Sequence, residues 1–206
     1  MGRAERKSGE QRREEIVQAV LELAAERGVK QVTTQAIAER VGIAQPTVFR
    51  HFKTRDAILH AALEWIGKGM LAALTPILAG GGPADERLRQ LLRRQLQFIG
   101  RRKGMPRLLF SERLHLEDPE LKAVVRRIME AYTARLAALL REGMEHGRFR
   151  ADLDPEETAR LIVALMQGLV MRWSLTDFAM PLEEQGEAVW RLLGPALGVA
   201  GEHIHE

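Results

Sequence analysis

Gln45, Thr47, Arg50 and His51 fall within seven residues and, with Val48 turned inward, leave an amide, a hydroxyl, a guanidinium and an imidazole facing outward from a short segment. Groups of these kinds pair with base edges and phosphates in a major groove. Other chemistry was sought along the chain. Ser111 and His115, four apart on one helical face, are the one pair resembling a nucleophile and its base, but no glycine-rich elbow accompanies them. Glu112, His115 and Asp118 lack a recognised metal-ligand spacing, and His203 and His205 stand in a polar tail. No phosphate-binding glycine loop occurs. No catalytic residue, metal or cofactor is therefore expected.

The groove-facing set needs a scaffold, and residues 33–52 supply one. Thr33 or Thr34 can cap a first helix by accepting from the unpaired amides of its opening turn. Ala38 allows a second helix to pack close, and Gly42, four residues on, can take the left-handed conformation that reverses the chain. This is a helix-turn-helix pattern, with Ile37, Val41, Ile43 and Val48 as its private core. Pro46 sits in the first turn of the second helix, where its missing amide had no partner to lose. Phe49 offers apolar contact, to a thymine methyl or to the core.

Residues 54–59 run on into a new amphipathic helix that Thr54 can cap. Taken together, VTTQAIAERVGIAQPTVFRHFKTRDAIL resembles the DNA-binding region of the TetR family of bacterial transcriptional regulators, over about Glu10 to Met70. In that family an initial helix, the helix-turn-helix and the start of a long fourth helix form one unit. This chain has Ala44, Pro46, Phe49 and Arg55 where members often carry Ser, Gly, Tyr and Lys. The residues expected at the DNA are Thr33, Thr34, Gln45, Pro46, Thr47, Phe49, Arg50, His51, Lys53 and Arg55.

Composition agrees with that placement. Residues 1–55 hold 11 Lys+Arg against 7 Asp+Glu, giving +4, whereas the remainder holds 20 against 21, giving −1. The excess lies where phosphate attraction needs it. With no cysteine there is no disulfide and no thiolate metal site. No run of eighteen apolar residues and no apolar leader occur, so a cytoplasmic protein is expected.

The expected fold is all-α: an N-terminal three-helix helix-turn-helix domain and a larger C-terminal helical domain for ligand binding and dimerisation. Residues 1–9 form a basic arm carrying Arg3, Arg6 and Lys7, 10–70 the DNA-binding domain, 71–200 the body and 201–206 a tail. Helical spacing of apolar residues predicts a helix over 10–27, stopped by Gly28, and a long one from 54 that Pro76 ends or bends. A helix over 88–100 carries Arg87, Arg89, Arg93 and Arg94 on its wet side, and a short one spans 105–116. Helices over 121–146, 154–174 and 183–197 complete the body, the second opening on Asp154-Pro155.

The resemblance implies a body that encloses an apolar or amphipathic effector. Candidate lining residues are Trp65, Met70, Leu74, Phe98, Leu109, Phe110, His115, Met129, Tyr132 and Trp173. It also implies a homodimer through the last two helices, with two heads reading a palindromic operator of double-stranded DNA. The expected function is a ligand-responsive transcriptional regulator, a repressor released from DNA by the effector. Two alternatives differ from it: an all-helical enzyme or carrier of acyl ligands, and a DNA-binding dimer with no small-molecule effector.

Overall fold

The computed structural model describes residues 8–199, and every regular element among them is helical. In chain order these are α1 (Gly9–Arg27), a 3-10 turn (Val29–Gln31), α2 (Thr34–Val41), α3 (Gln45–His51), α4 (Arg55–Leu78) and α5 (Ala84–Gly100). Then follow α6 (Gly104–Leu109), a π-helical turn (Arg113–Glu117), α7 (Pro119–Glu145), α8 (Pro155–Leu175), a 3-10 turn (Leu182–Glu184) and α9 (Gln185–Ala196). The charges expected of an arm, at Arg3, Arg6 and Lys7, and the tail histidines His203 and His205 lie outside the described residues.

Local chemistry sets the helix ends. Ser8 and Gln11 cap α1 reciprocally: Ser8 Oγ accepts from the Gln11 amide at 3.2 Å, and Gln11 Oε1 from the Ser8 amide at 2.8 Å. Thr33 caps α2 by accepting from the Ala36 amide at 3.1 Å, and Gly42 ends that helix at φ 72°, a left-handed conformation that glycine adopts without Cβ strain. Thr54 Oγ1 accepts from Ala57 at the start of α4. Asp154 accepts from Glu157 at 2.8 Å, with Pro155 in the first turn of α8.

Of the two expectations for Pro76, ending the helix is the one set aside, since α4 continues to Leu78. One boundary differs from expectation. The helix expected over 105–116 is instead the six-residue α6 and the π-helical turn, broken where Ser111 Oγ donates to the Leu108 carbonyl at 2.8 Å.

The chain divides into two compact units. The first comprises the chain up to Gly67 together with Arg102–Val125; the second comprises Lys68–Arg101 and the chain from Arg126 onward. A single division near residue 70 would have left 102–125 with the body, whereas these residues pack with the head. The reason is close packing of α6 on α1: Gly104 lies so near the Leu21 carbonyl that an added Cβ would sit 2.0 Å from its oxygen.

The core of the first unit is built from Ile16, Val20, Leu23, Ile37, Val48, Ile58 and Leu59, all essentially inaccessible. Each stabilises the unit by roughly 1.5–3 kcal/mol relative to an exposed position. By length and composition α4 could cross a bilayer, with a mean hydropathy of 1.3 over its most apolar stretch. Its apolar residues Ile58, Leu59, Leu63, Ile66 and Leu74 are buried in the fold, as in a core helix.

In the second unit α5 packs against α9 and the 3-10 turn before it. The solvated face expected for Arg87, Arg89, Arg93 and Arg94 needs one correction. Arg87 is buried; it donates from Nε to the Ile77 carbonyl at 3.1 Å, from Nη2 to the Leu78 carbonyl, and from Nη1 to Glu142 at 2.5 Å. A guanidinium has enough donors to satisfy the last carbonyls of a helix and a carboxylate at once, so its burial is compensated. Arg89 is half-buried against Glu187, whereas Arg93 and Arg94 are exposed.

Candidate DNA interface

α3 is held by its back. Val48 is fully buried, and Ala38, Ile37 and Phe52 are buried too, so one face of a seven-residue helix packed on α2 is pinned and the opposite face is left to solvent. Pro46 lies in its first turn, where the fixed φ suits the helix. Of the candidates on this helix, Pro46, Phe49 and Arg50 are exposed, and Gln45, Thr47 and His51 are half-buried; Phe49 is 41% exposed, large for an aromatic ring without a partner in the core.

Several of these side chains are already oriented. Gln45 Nε2 donates to Thr34 Oγ1 at 2.8 Å, which fixes the amide while leaving its carbonyl oxygen and second hydrogen available. Arg50 Nη2 donates to Thr47 Oγ1 at 3.1 Å. Thr33, expected at the DNA, spends its hydroxyl oxygen on the α2 cap. Lys53 is exposed directly after α3.

Arg55 is already engaged within the head. Expected to meet phosphate, it is half-buried, donating from Nε to the Val32 carbonyl at 2.5 Å and from Nη2 to the Val29 carbonyl at 2.6 Å. Those carbonyls close the connection between α1 and α2, so the guanidinium fastens the head together. The long-range partners of an arginine leave no mark in its sequence neighbourhood.

Arg13 of α1 was missed by sequence reasoning. Its Nη1 donates to the His51 carbonyl at 2.5 Å, and its guanidinium carbon stands 4.1 Å from the centre of the buried Phe52 ring. Burial first, then the positive charges of Arg13, Arg50 and Arg12, hold the His51 imidazole below the ordinary histidine range. Arg40 of α2 forms a separate bracket with Glu22 and Glu26 of α1, at 2.8 and 2.5 Å.

The other constellations are dispersed. Ser111 Oγ is bonded to the Leu108 carbonyl and accepts from Leu114, and His115 is exposed on the π-helical turn. Glu112 faces Lys30 at 3.7 Å, and Asp118 caps α7 at Leu121 and meets His60 Nε2 at 3.1 Å. Among the described residues no three His, Asp or Glu gather as a metal site.

The ten effector candidates fall in both units. Trp65, half-buried under the Arg102 guanidinium, Leu109, Phe110 and the exposed His115 belong to the first. Met70, Leu74, Phe98, Tyr132 and Trp173 are buried in the second, whereas Met129 is 36% exposed. His115 and Met129 are thus surface residues, because the helical faces that carry them turn outward. Tyr132 donates to Gln95 Oε1 at 2.7 Å, and burial pushes its phenol well above the usual range. Gln95, an amide buried in an apolar surrounding, was not anticipated.

Residues 16–62 match the family model described as bacterial regulatory proteins of the tetR family, and residues 81–193 match the tetracyclin repressor-like C-terminal domain. The chain belongs to the TetR family. The match to the second model covers more than half of it, so membership rests on the body as well as on the head. TetR-family relatives differ in their named roles. The chain is 28% identical over 183 residues to the nucleoid occlusion factor SlmA of Vibrio atlanticus, spanning 88% of this chain and 93% of that protein. It shares the fold of the transcriptional regulator FadR of Bacillus subtilis in complex with stearoyl-CoA, at TM-score 0.75 and 23% identity, covering 87% and 96% of the two chains. A regulator from Saccharomonospora viridis in complex with choline superposes at TM-score 0.78 and 23% identity, covering 89% and 96%. As a TetR-family protein the chain is a DNA-binding transcriptional regulator.

Proposed function

We propose that this protein is a homodimeric repressor, released from a palindromic operator by an apolar or amphipathic small molecule. The observation that carries the reading is α3: a helix whose apolar side is locked by Val48 and whose free side offers the Gln45 amide, the Thr47 hydroxyl and the Arg50 guanidinium. Gln45 and Thr47 read sequence; Lys53, Arg50 and His51 supply phosphate contacts and register.

A dimer is supported by an unpartnered stripe on α8. Leu161, Leu165, Met171 and Leu175 are 64%, 36%, 45% and 74% exposed, and Leu192 of α9 is 63% exposed. Large apolar residues clustered on one helix face mark an interface, and a second copy covers them with the same surface. A two-fold pair also doubles the bases read.

An effector is supported by the second unit, in which Met70, Leu74, Phe98 and Tyr132 are each buried and a buried amide, Gln95, accepts from the Tyr132 hydroxyl. Stearoyl-CoA and choline in the two neighbours indicate that the fold admits ligands of very different size. Transcription regulation at the chromosome fits a cytoplasmic protein. Long-chain acyl compounds raising the melting temperature and releasing bound DNA would support the effector reading; no shift with any apolar ligand would count against it.

The likeness to a nucleoid occlusion factor favours a second reading, a DNA-binding dimer that acts on the nucleoid without a small-molecule effector. Genome-wide mapping of bound DNA separates the two. A regulator occupies a few promoters, its own among them, whereas the second reading demands many sites scattered away from promoters. Failure to retain any duplex would return the chain to the enzyme or acyl-carrier alternative.

A further inference from the structure

The arginines of the head divide into two kinds. Arg12 is paired with Glu15 at 2.7 Å, Arg40 with Glu22 and Glu26, and Arg55 with two carbonyls. Arg13 and Arg50 pair with no carboxylate among the described residues; Arg13 bonds the His51 carbonyl, and Arg50, the residue before His51, bonds only the Thr47 hydroxyl of its own helix. Arg13 is not loosely placed: stacking on Phe52 and donation to the His51 carbonyl fix its guanidinium at the end of α3, with other N–H donors left over. Two helices therefore bring three cationic or ionisable groups together at the end of α3, where no internal anion balances them.

We propose that Arg13, Arg50 and His51 form one phosphate-binding position, and that His51 takes up a proton when a DNA phosphate occupies it. The proposal rests on the DNA-binding reading of α3 and adds α1 to the interface. With no anion present, the neighbouring guanidinium groups oppose a third positive charge. A phosphate between them reverses that balance, since its negative charge favours the imidazolium and the protonated ring gains a charge-assisted hydrogen bond.

Arg12, though paired with Glu15, adds a smaller positive influence on His51. On α1, Glu15 is committed to Arg12, and Glu10 and Glu14 are exposed and pair with neither Arg13 nor His51. On α2, Glu39 accepts from Gln35, and Arg40 is held by its two glutamates. Lys53 follows α3 with a further positive charge, and Asp56 opens α4.

The sign of the linkage follows. His51 titrates below the usual histidine range in the free protein and higher in the complex, so the complex holds the extra proton. Affinity is flat above the bound-state pKa, rises as pH falls between the two values by as much as about tenfold per pH unit per protomer, and levels off below the free-state value.

The test uses the full-length protein and duplex DNA upstream of its own gene, at low salt. Imidazole resonances are followed through a pH titration with and without the duplex, the His51 signal being identified by its loss in His51→Gln. Calorimetry near about pH 6, in two buffers of different ionisation enthalpy, counts the protons taken up. The proposal predicts a His51 pKa that rises on adding DNA, proton uptake that His51→Gln removes, and an Arg13→Gln variant whose free His51 titrates closer to the ordinary range. That variant should also show a salt dependence of binding shallower by about one unit per protomer. DNA bound with His51 titrating as in the free protein would overturn the proposal and leave the DNA reading standing. Absence of binding to any duplex at any pH would overturn both.

Discussion

Thr34 and Thr47 each hold a neighbouring polar side chain, Gln45 at 2.8 Å and Arg50 at 3.1 Å, so part of the ordering that base recognition requires is met before DNA arrives. Gln45→Ala and Thr47→Ala should each narrow the gap between operator and random duplex, by roughly 1–3 kcal/mol per lost base contact, in competition titrations. Lys53→Ala should weaken both kinds of DNA alike and flatten the salt dependence. Arg55→Ala belongs elsewhere: it strands the Val32 carbonyl and takes one of two donors from the Val29 carbonyl, which keeps the Val32 amide, and it should lower the stability read from urea unfolding by about 1–3 kcal/mol. If Arg55→Ala left stability unchanged and only altered the salt slope, Arg55 would be a phosphate ligand after all. Asp85 is a further residue-scale test. The Arg148 guanidinium, bonded at 2.6 and 2.7 Å, holds its carboxyl below the usual range. A depressed folded-state pKa contributes stability above the unfolded value and loses it as pH falls through the folded one. Asp85→Asn should thus lower the melting temperature at neutral pH but cost little in strong acid.

At the scale of the element, what could be read in the sequence was what neighbours in the chain decide. Thr33 at a cap, Gly42 at a left-handed turn and Asp154-Pro155 at a helix start are local codes, and the structure has each of them. The seven-residue α3 with Val48 inward follows from the same kind of pattern. Illegible were features set by partners far along the chain. Gly104 against Leu21, Arg87 on the Ile77 and Leu78 carbonyls, and Arg13 on Phe52 join positions up to 83 residues apart. Helical periodicity says that a face is polar without saying what it meets, which is why Arg87 looked solvated and the carbonyl partners of Arg55 went unseen. α6 supplies the prediction at this scale. Gly104→Ala cannot be accommodated by a side-chain shift, because the clash is with backbone; it should destabilise the first unit by at least about 1–3 kcal/mol in thermal unfolding. An unchanged melting temperature would mean that α6 is free to move off α1.

For the molecule as a whole, the proposed two-fold contact through the exposed apolar residues of α8 and Leu192 of α9 would decide whether one head or two meets DNA. Leu161→Glu with Leu165→Glu places charges in the proposed two-fold contact. It should give a monomer by gel filtration with light scattering, together with loss of tight operator binding. A double variant that stays dimeric would move the interface elsewhere. The central claim is that the outward side of α3 reads a duplex sequence. Fluorescence anisotropy at fixed salt tests it most directly, comparing DNA upstream of the protein's own gene with a shuffled duplex of equal length and composition. The account predicts binding to the upstream DNA tighter by about a thousandfold or more, with most of that margin lost in Gln45→Ala combined with Thr47→Ala. Equal affinity for the two duplexes, or a margin untouched by the double substitution, would contradict it.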